Sequence, residues 1–201
     1  MNYYFTKDKF YADETTKIVD ENHALQQVFL NELDEKLWSS ADKLRQQLDA
    51  ANYKHIVLGL IFLKYISDSF THQQEKIQAE LSDPENPLYL DRAFYDTDEE
   101  YQEALTIELE NRDYYTADNV FWVPQQARWD EIKAVSILNI GAELPWGGKF
   151  SGVAKLIDDA FDAIEKDNEK LKGVLQRISG YAVNEDTLRG LIILFSDTNF
   201  T

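Results

Sequence analysis

The stretch YKHIVLGLIFLKYISDSF, residues 53–70, is apolar on almost every side, and it constrains the chain more than any other segment. A helix with one apolar stripe can lie on a surface, whereas one that is apolar all round has to be enclosed. A membrane could enclose it only if the run reached about 20 apolar residues. The uninterrupted run covers residues 56–63 and stops at Lys64. The stretch is therefore expected to be the central helix of a bundle. Lys54 would lie near the surface at its start, and Lys64 would reach outward along its methylene stem or pair with Asp68 one turn on. Lys7, Asp8 and Lys9 fall where a secretory signal would carry its apolar core. The reading is a soluble, cytoplasmic chain with no membrane partner.

Helical periodicity continues on both sides. Leu25, Val28, Phe29, Leu33, Leu37, Leu44 and Leu48 recur at steps of three and four, one apolar stripe ending near Ala50. The helix beginning at Tyr53 should run to about Leu81, where SDPENP, with prolines at 84 and 87, stops it. DTDEEYQEALTIELENR should form a mostly exposed helix, with Asp96 or Thr97 as N-cap and carboxylates in the first turn, where the helix dipole favours them. After an extended piece ending at Pro124, a helix is expected from about Gln125 to Ile137. GAELPWGGKFSG, residues 141–152, is the clearest loop. Val153, Leu156, Ile157, Phe161 and Ile164 mark another amphipathic helix, and EDTLRGLIILFSDT a last one. The fold class is mainly α, a helical bundle with at most a small β ribbon near Phe121 and Tyr181. Leu44, Ile56, Leu60, Leu63, Leu156, Ile157 and Phe161 are the expected core. Residues 1–32 read as an N-terminal arm.

Charge is unevenly placed. The chain carries a net −17. Residues 80–120 hold thirteen acids against Arg92 and Arg112, whereas residues 34–70 hold five of each sign. The acidic block is read as a solvated face, with a surface that repels phosphate or docks a basic partner as the sharper reading.

No catalytic constellation can be read. The absence of cysteine removes disulfides, thiol nucleophiles and thiolate metal sites. GGKFSG fails as a phosphate loop because Glu143 stands where the first glycine belongs and Phe150 where a hydroxyl belongs. His23, His55 and His72 lack metal-ligand spacing. SDPEN lacks the Pro-Pro-aromatic run of amino methyltransferases. Asp158 and Asp159 are adjacent on a helix and point apart, so they are not an acid and base couple.

Three blocks, LWSSADKLRQQLDAANYKHIVLGLIFLKYISDSF, FWVPQQARW and IEKDNEKLKGVL, resemble in the same order the N-terminal helical domain of the modification subunit of Type I restriction-modification systems. The likeness covers residues 33–201. It implies a subunit that transfers a methyl group from S-adenosylmethionine to adenine N6 in double-stranded DNA, assembled with a specificity subunit and a second methyltransferase subunit. In that family the glycine-rich cofactor loop and the Asn-Pro-Pro-aromatic motif follow the helical domain. The 201 residues carry neither, so cofactor binding and catalysis are expected outside them. The resemblance permits phosphate contacts by Lys54 and Lys64, and the same reading extends to Lys43, Arg45, Arg128 and Lys149. Trp122 and Trp129 are most simply core or interface anchors. Two other readings stand beside this one: a purely structural interaction module without DNA contact, and a free-standing helical enzyme, against which the missing constellation counts.

Overall fold

Six α-helices lie among the residues described by the computed structural model, which are 50–198 together with 31, 35, 36, 38 and 39. They are α1 (Ala50–Ser82), α2 (Asp98–Leu109), α3 (Arg112–Ala117), α4 (Trp129–Ser136), α5 (Val153–Asp167) and α6 (Glu185–Ser196). Short 3-10 turns occupy Arg92–Phe94, Gln125–Ala127 and Glu169–Leu171. The apolar stripe at residues 25–48 and the core assignment of Leu44 lie outside the described residues, apart from a few helical positions.

The central helix is enclosed by protein. Helix α1 packs against α2, α3, α4 and α6. Ile56, Leu60, Leu63, Phe70, Ile77 and Leu81, at steps of three, four and seven, are buried along one line, with Val57 and Ile66 buried beside it. Leu58 and Tyr65 remain substantially exposed, so the enclosure is incomplete on one flank. The expected core residues Ile56, Leu60, Leu63, Leu156, Ile157 and Phe161 are all buried in one cluster. Helices α1 and α5 approach closely at Gly59, where a Cβ would stand 3.2 Å from the Phe161 ring.

Helix ends follow local chemistry. Thr97 forms a complete capping box with Glu100, and Asp98, Glu99 and Glu100 fill the first turn of α2. Leu105 is the buried residue of that helix, as a mostly exposed helix requires. The expected single acidic helix breaks in two, because Asn111 caps a new start by accepting from the Asp113 N–H. The helix expected over residues 125–137 also divides. Arg128 is extended at φ −70° and ψ 133°, and the next N–H, of Trp129, is donated to the Ser67 hydroxyl of α1 at 2.7 Å. No strand forms among the described residues. This agrees with the expectation of at most a small ribbon near Phe121 and Tyr181, and an isolated antiparallel bridge joins Glu143 to Lys149 in the glycine-rich loop.

Polar side chains tie the non-helical segments to the bundle. Asn168 accepts from the Trp122 N–H at 3.1 Å and donates to the Trp122 carbonyl at 2.9 Å. Asp158 is buried and accepts from the backbone N–H groups of Ile178 and Ser179. Asp159 is exposed and pairs with Lys155, so the two neighbouring carboxylates do point apart. Glu185 accepts from the Val153 N–H at 2.8 Å and thereby caps α5 from α6. This approach needs Gly152, whose φ is 122° and whose place a Cβ could not take without lying 2.8 Å from the Glu185 carboxylate.

Glu165 holds the 173–177 loop. Burial alone would push its carboxyl upward, but Arg177 and the N–H groups of Leu175 and Gly173 together outweigh burial and hold it below the ordinary glutamate value.

Two outcomes are expected. Leu60→Ala, at a fully buried site, should cost about 2–5 kcal/mol in urea unfolding; an unchanged midpoint would place Leu60 outside the core. Glu165→Gln should lower stability at neutral pH by about 1–3 kcal/mol. Because the native Glu165 pKa is lowered, its contribution is complete above the ordinary value of 4.5 and is lost as pH falls through the native value. The two unfolding curves should therefore converge as the medium is acidified below that point, and a constant gap across the range would refute the assignment.

Candidate functional site

The basic residues that could meet phosphate divide into two kinds once folded. Lys54 and Lys149 are exposed, Lys54 near the start of α1 and Lys149 in the glycine-rich loop. They border different depressions. Lys54 flanks a groove of about 470 Å³ with Leu58, Phe62, Val174 and Leu175, whereas Lys149 stands beside Trp146 and Gln126. Lys43 and Arg45 lie outside the described residues.

Lys64 and Arg128 are instead held inside the structure. Lys64 is only 6% exposed. Its ammonium lies 2.5 Å from both Asp68 oxygens and 5.9 Å from the Trp129 ring centre, the i,i+4 pairing anticipated from the sequence. Arg128 makes a two-pronged contact with Glu110, with Nη2 2.7 and 2.9 Å from its two oxygens, and its Nε donates to the Val123 carbonyl at 3.2 Å. The guanidinium also covers the Phe70 ring at 4.7 Å.

That ring belongs to an aromatic cluster. Phe70 stacks on Tyr115 with centres 4.5 Å apart, and Trp122 meets both edge-on. Arg112 covers the Trp122 ring at 5.0 Å and pairs with Asp167. Burial, reinforced by Glu110, pushes the Tyr115 hydroxyl up to about 12, and it donates to the Leu109 carbonyl. Trp129 is buried too, and its indole N–H donates to the Ser196 hydroxyl. Both tryptophans are therefore core anchors.

Lys64 and Arg128 share one feature of the surface, a cleft of about 500 Å³ between α1, the start of α4 and the end of α6. The structure thus brings together two of the six candidate cations, and it neutralises both. Among the described residues no group of three or more His, Asp or Glu is placed to hold a metal ion. His55 bonds to Gln176, and His72 borders the cleft. No described helix is long and apolar enough to cross a membrane.

Sequence reasoning missed the polar residues that organise this region. Asn168, Asp158 and Ser67 act through backbone groups far away in sequence, and no local pattern reveals such partners. One signal was available: Trp122 and Asn168 stand in two separate blocks of the family resemblance, FWVPQQARW and IEKDNEKLKGVL, and they turn out to be hydrogen-bonded to each other.

The chain is 31% identical over 172 residues to the Type I restriction enzyme MjaIX methylase subunit of Methanocaldococcus jannaschii, covering 84% of this chain and 27% of that protein. It is 87% identical over 79 residues to the Type I restriction enzyme HindI methylase subunit of Haemophilus influenzae, covering 39% of this chain and 18% of that protein. The chain thus spans roughly a quarter or less of the length of these relatives. The family model for the HsdM N-terminal domain matches residues 33–195, and the chain belongs to that family.

Proposed function

We propose that this chain is the accessory helical domain of a Type I DNA adenine-N6 methyltransferase subunit, and that it helps the subunit assemble with its specificity subunit and close around DNA. The family match over residues 33–195 carries this reading, supported by two relatives that are methylase subunits. Methyl transfer from S-adenosylmethionine is assigned to the full-length, cytoplasmic enzyme, in which a second methyltransferase subunit completes the complex. Residues 33–201 form the domain in this reading, and residues 1–32 an arm.

DNA contact is assigned to cations free to meet phosphate. Lys54 and Lys149 have no ion-pair partner among the described residues and are exposed. Lys43 and Arg45 extend the candidate set from the electrically balanced block of residues 34–70. Lys64 and Arg128 would have to exchange Asp68 and Glu110 for phosphate, which costs two short ion pairs.

Those two internal pairs favour a second reading, in which the domain is a structural interaction module that never touches DNA. The readings separate in the complete enzyme. Lys54→Glu with Lys149→Glu should weaken duplex binding and flatten its dependence on salt, measured by fluorescence anisotropy, without changing which sequence is chosen. If reversal at all six positions leaves affinity and salt slope unchanged, the structural reading stands. The 201-residue chain alone, at net −17, should bind duplex weakly or not at all near physiological salt. Calorimetry on that chain should show no S-adenosylmethionine binding, and specific binding there would overturn the assignment of chemistry to the rest of the enzyme.

A further inference from the structure

The groove beside Lys54 is apolar in a chain that is otherwise strongly charged. It holds about 470 Å³ between the start of α1 and the 173–177 loop. Leu58 on one wall and Val174 on the other are 61% and 59% exposed, while Phe62 and Leu175 are half-buried. Lys54, Leu58 and Phe62 follow one another at steps of four on α1, and Tyr65, also substantially exposed, continues the line. Over residues 54–65 the strip runs about 16 Å along the helix.

The loop wall is fixed through its backbone. The Val174 N–H is donated to the Leu171 carbonyl at 3.0 Å and the Leu175 N–H to Glu165 at 3.0 Å, and Arg177 Nη1 donates to the Leu175 carbonyl at 2.8 Å. His55 on α1 and Gln176 on the loop bond to each other, joining the two walls. Val174 is therefore held at the surface by contacts of its backbone, with its side chain left uncovered. Charge gives a second, independent observation. The chain carries 37 acidic residues, yet no carboxylate is among the described residues that line the groove. Lys54 at its rim has no ion-pair partner among the described residues, and neither has Lys172, which is exposed two residues before Val174.

We propose that this groove docks an amphipathic helix of a partner protein, whose apolar face covers Leu58, Phe62 and Val174 and whose carboxylate meets Lys54. Apolar walls favour aliphatic or aromatic side chains, which a phosphate backbone does not offer, so DNA is not the occupant. A line of side chains at helical spacing beside a fixed second wall accepts a helix laid along it, and walls that are already in place spare the partner the cost of ordering them. At physiological salt the Debye length is about 8 Å, so the cations at the rim count for more than the net −17 of the whole chain. The inference names the chemistry of a protein partner and rests on the assembly half of the function proposed above. Lys54 figures in the DNA reading too, so the test turns on uncharged side chains.

The probe is a fluorescein-labelled 14-residue peptide of leucine, alanine and glutamine, with leucines on one helical face and two glutamates beside them, added to the 201-residue chain at physiological salt. Leu58→Ser with Val174→Ser changes no charge and should weaken binding about tenfold. Ile107→Ser with Ile137→Ser, at exposed positions elsewhere, should change it less than twofold. Replacing both glutamates of the peptide by glutamine should weaken binding to the unmodified chain about threefold, and should make no difference to Lys54→Gln. Methyl resonances of the unmodified chain give a reading that needs no variant to fold: the peptide should shift those of Leu58, Val174 and Leu175. Absence of binding, equal weakening by both double variants, shifts confined to other methyls, or the same shifts produced by duplex DNA would each overturn the proposal. So would contacts of the Leu58 methyls with residues 1–49 or with a second copy before peptide is added, since the groove would then already be filled. Co-purification of the subunits of the complete enzyme reads assembly separately, so the groove can fail while the assembly reading stands.

Discussion

Removal of α1 from water is the constraint on which the rest of the domain depends. A helix with buried residues on several sides cannot be satisfied by one neighbour, and α2, α3, α4 and α6 all reach it. Each completely buried aliphatic side chain contributes about 1.5–3 kcal/mol of transfer free energy, and α1 alone holds Ile56, Leu60 and Leu63 at full burial. Helices α2 and α3 have little apolar surface of their own: α2 buries only Leu105, and α3 only Tyr115. They are held in place by α1 more than by their own sequences.

Close packing around one helix leaves backbone groups of the connecting segments without helical partners. Buried N–H and C=O groups need compensation. Side chains from the helices supply it through Ser67 to Trp129, Asn168 to Trp122, Asp158 to Ile178 and Ser179, and Glu185 to Val153. These contacts join segments 20 to 62 residues apart, so they set the tertiary arrangement as much as the apolar core does.

Electrostatics follow from the same packing. The acidic block of residues 80–120 is not merely a solvated face, because it reaches cations from other elements: Asp118 pairs with Lys76 and Glu110 with Arg128. The Lys76 pair is exposed and weak, although it lowers the Asp118 pKa through the Lys76 and Gln73 hydrogen bonds. The Arg128 pair is more sheltered and lies against an aromatic ring, where charge is less screened. Cations committed in this way are not available to an outside phosphate without exchange, and the carboxylates that border the cleft beside them, Glu75, Asp130, Glu131 and Asp197, come from outside the acidic block.

The amino-acid order by itself determined the helical class, the extent of α1, the stop at SDPENP, a cap at Asp96 or Thr97 and the core positions on α1 and α5, because each depends on periodicity or on groups within a few residues of one another. It also carried the family, since FWVPQQARW and IEKDNEKLKGVL keep residue patterns that composition does not explain. The six candidate cations could be named from charge, yet whether each faces solvent could not. Lys64 and Arg128 look like any exposed base in the sequence, and Arg128 finds Glu110 eighteen residues away. Only the tertiary structure decided which bases are neutralised, that a helix divides at Arg128 where Ser67 takes the Trp129 N–H, and which carboxylates border the same cleft. The physical reason is that ion pairing and burial depend on separation in space, and in a bundle organised around one enclosed helix that separation is set by packing between elements rather than by distance along the chain.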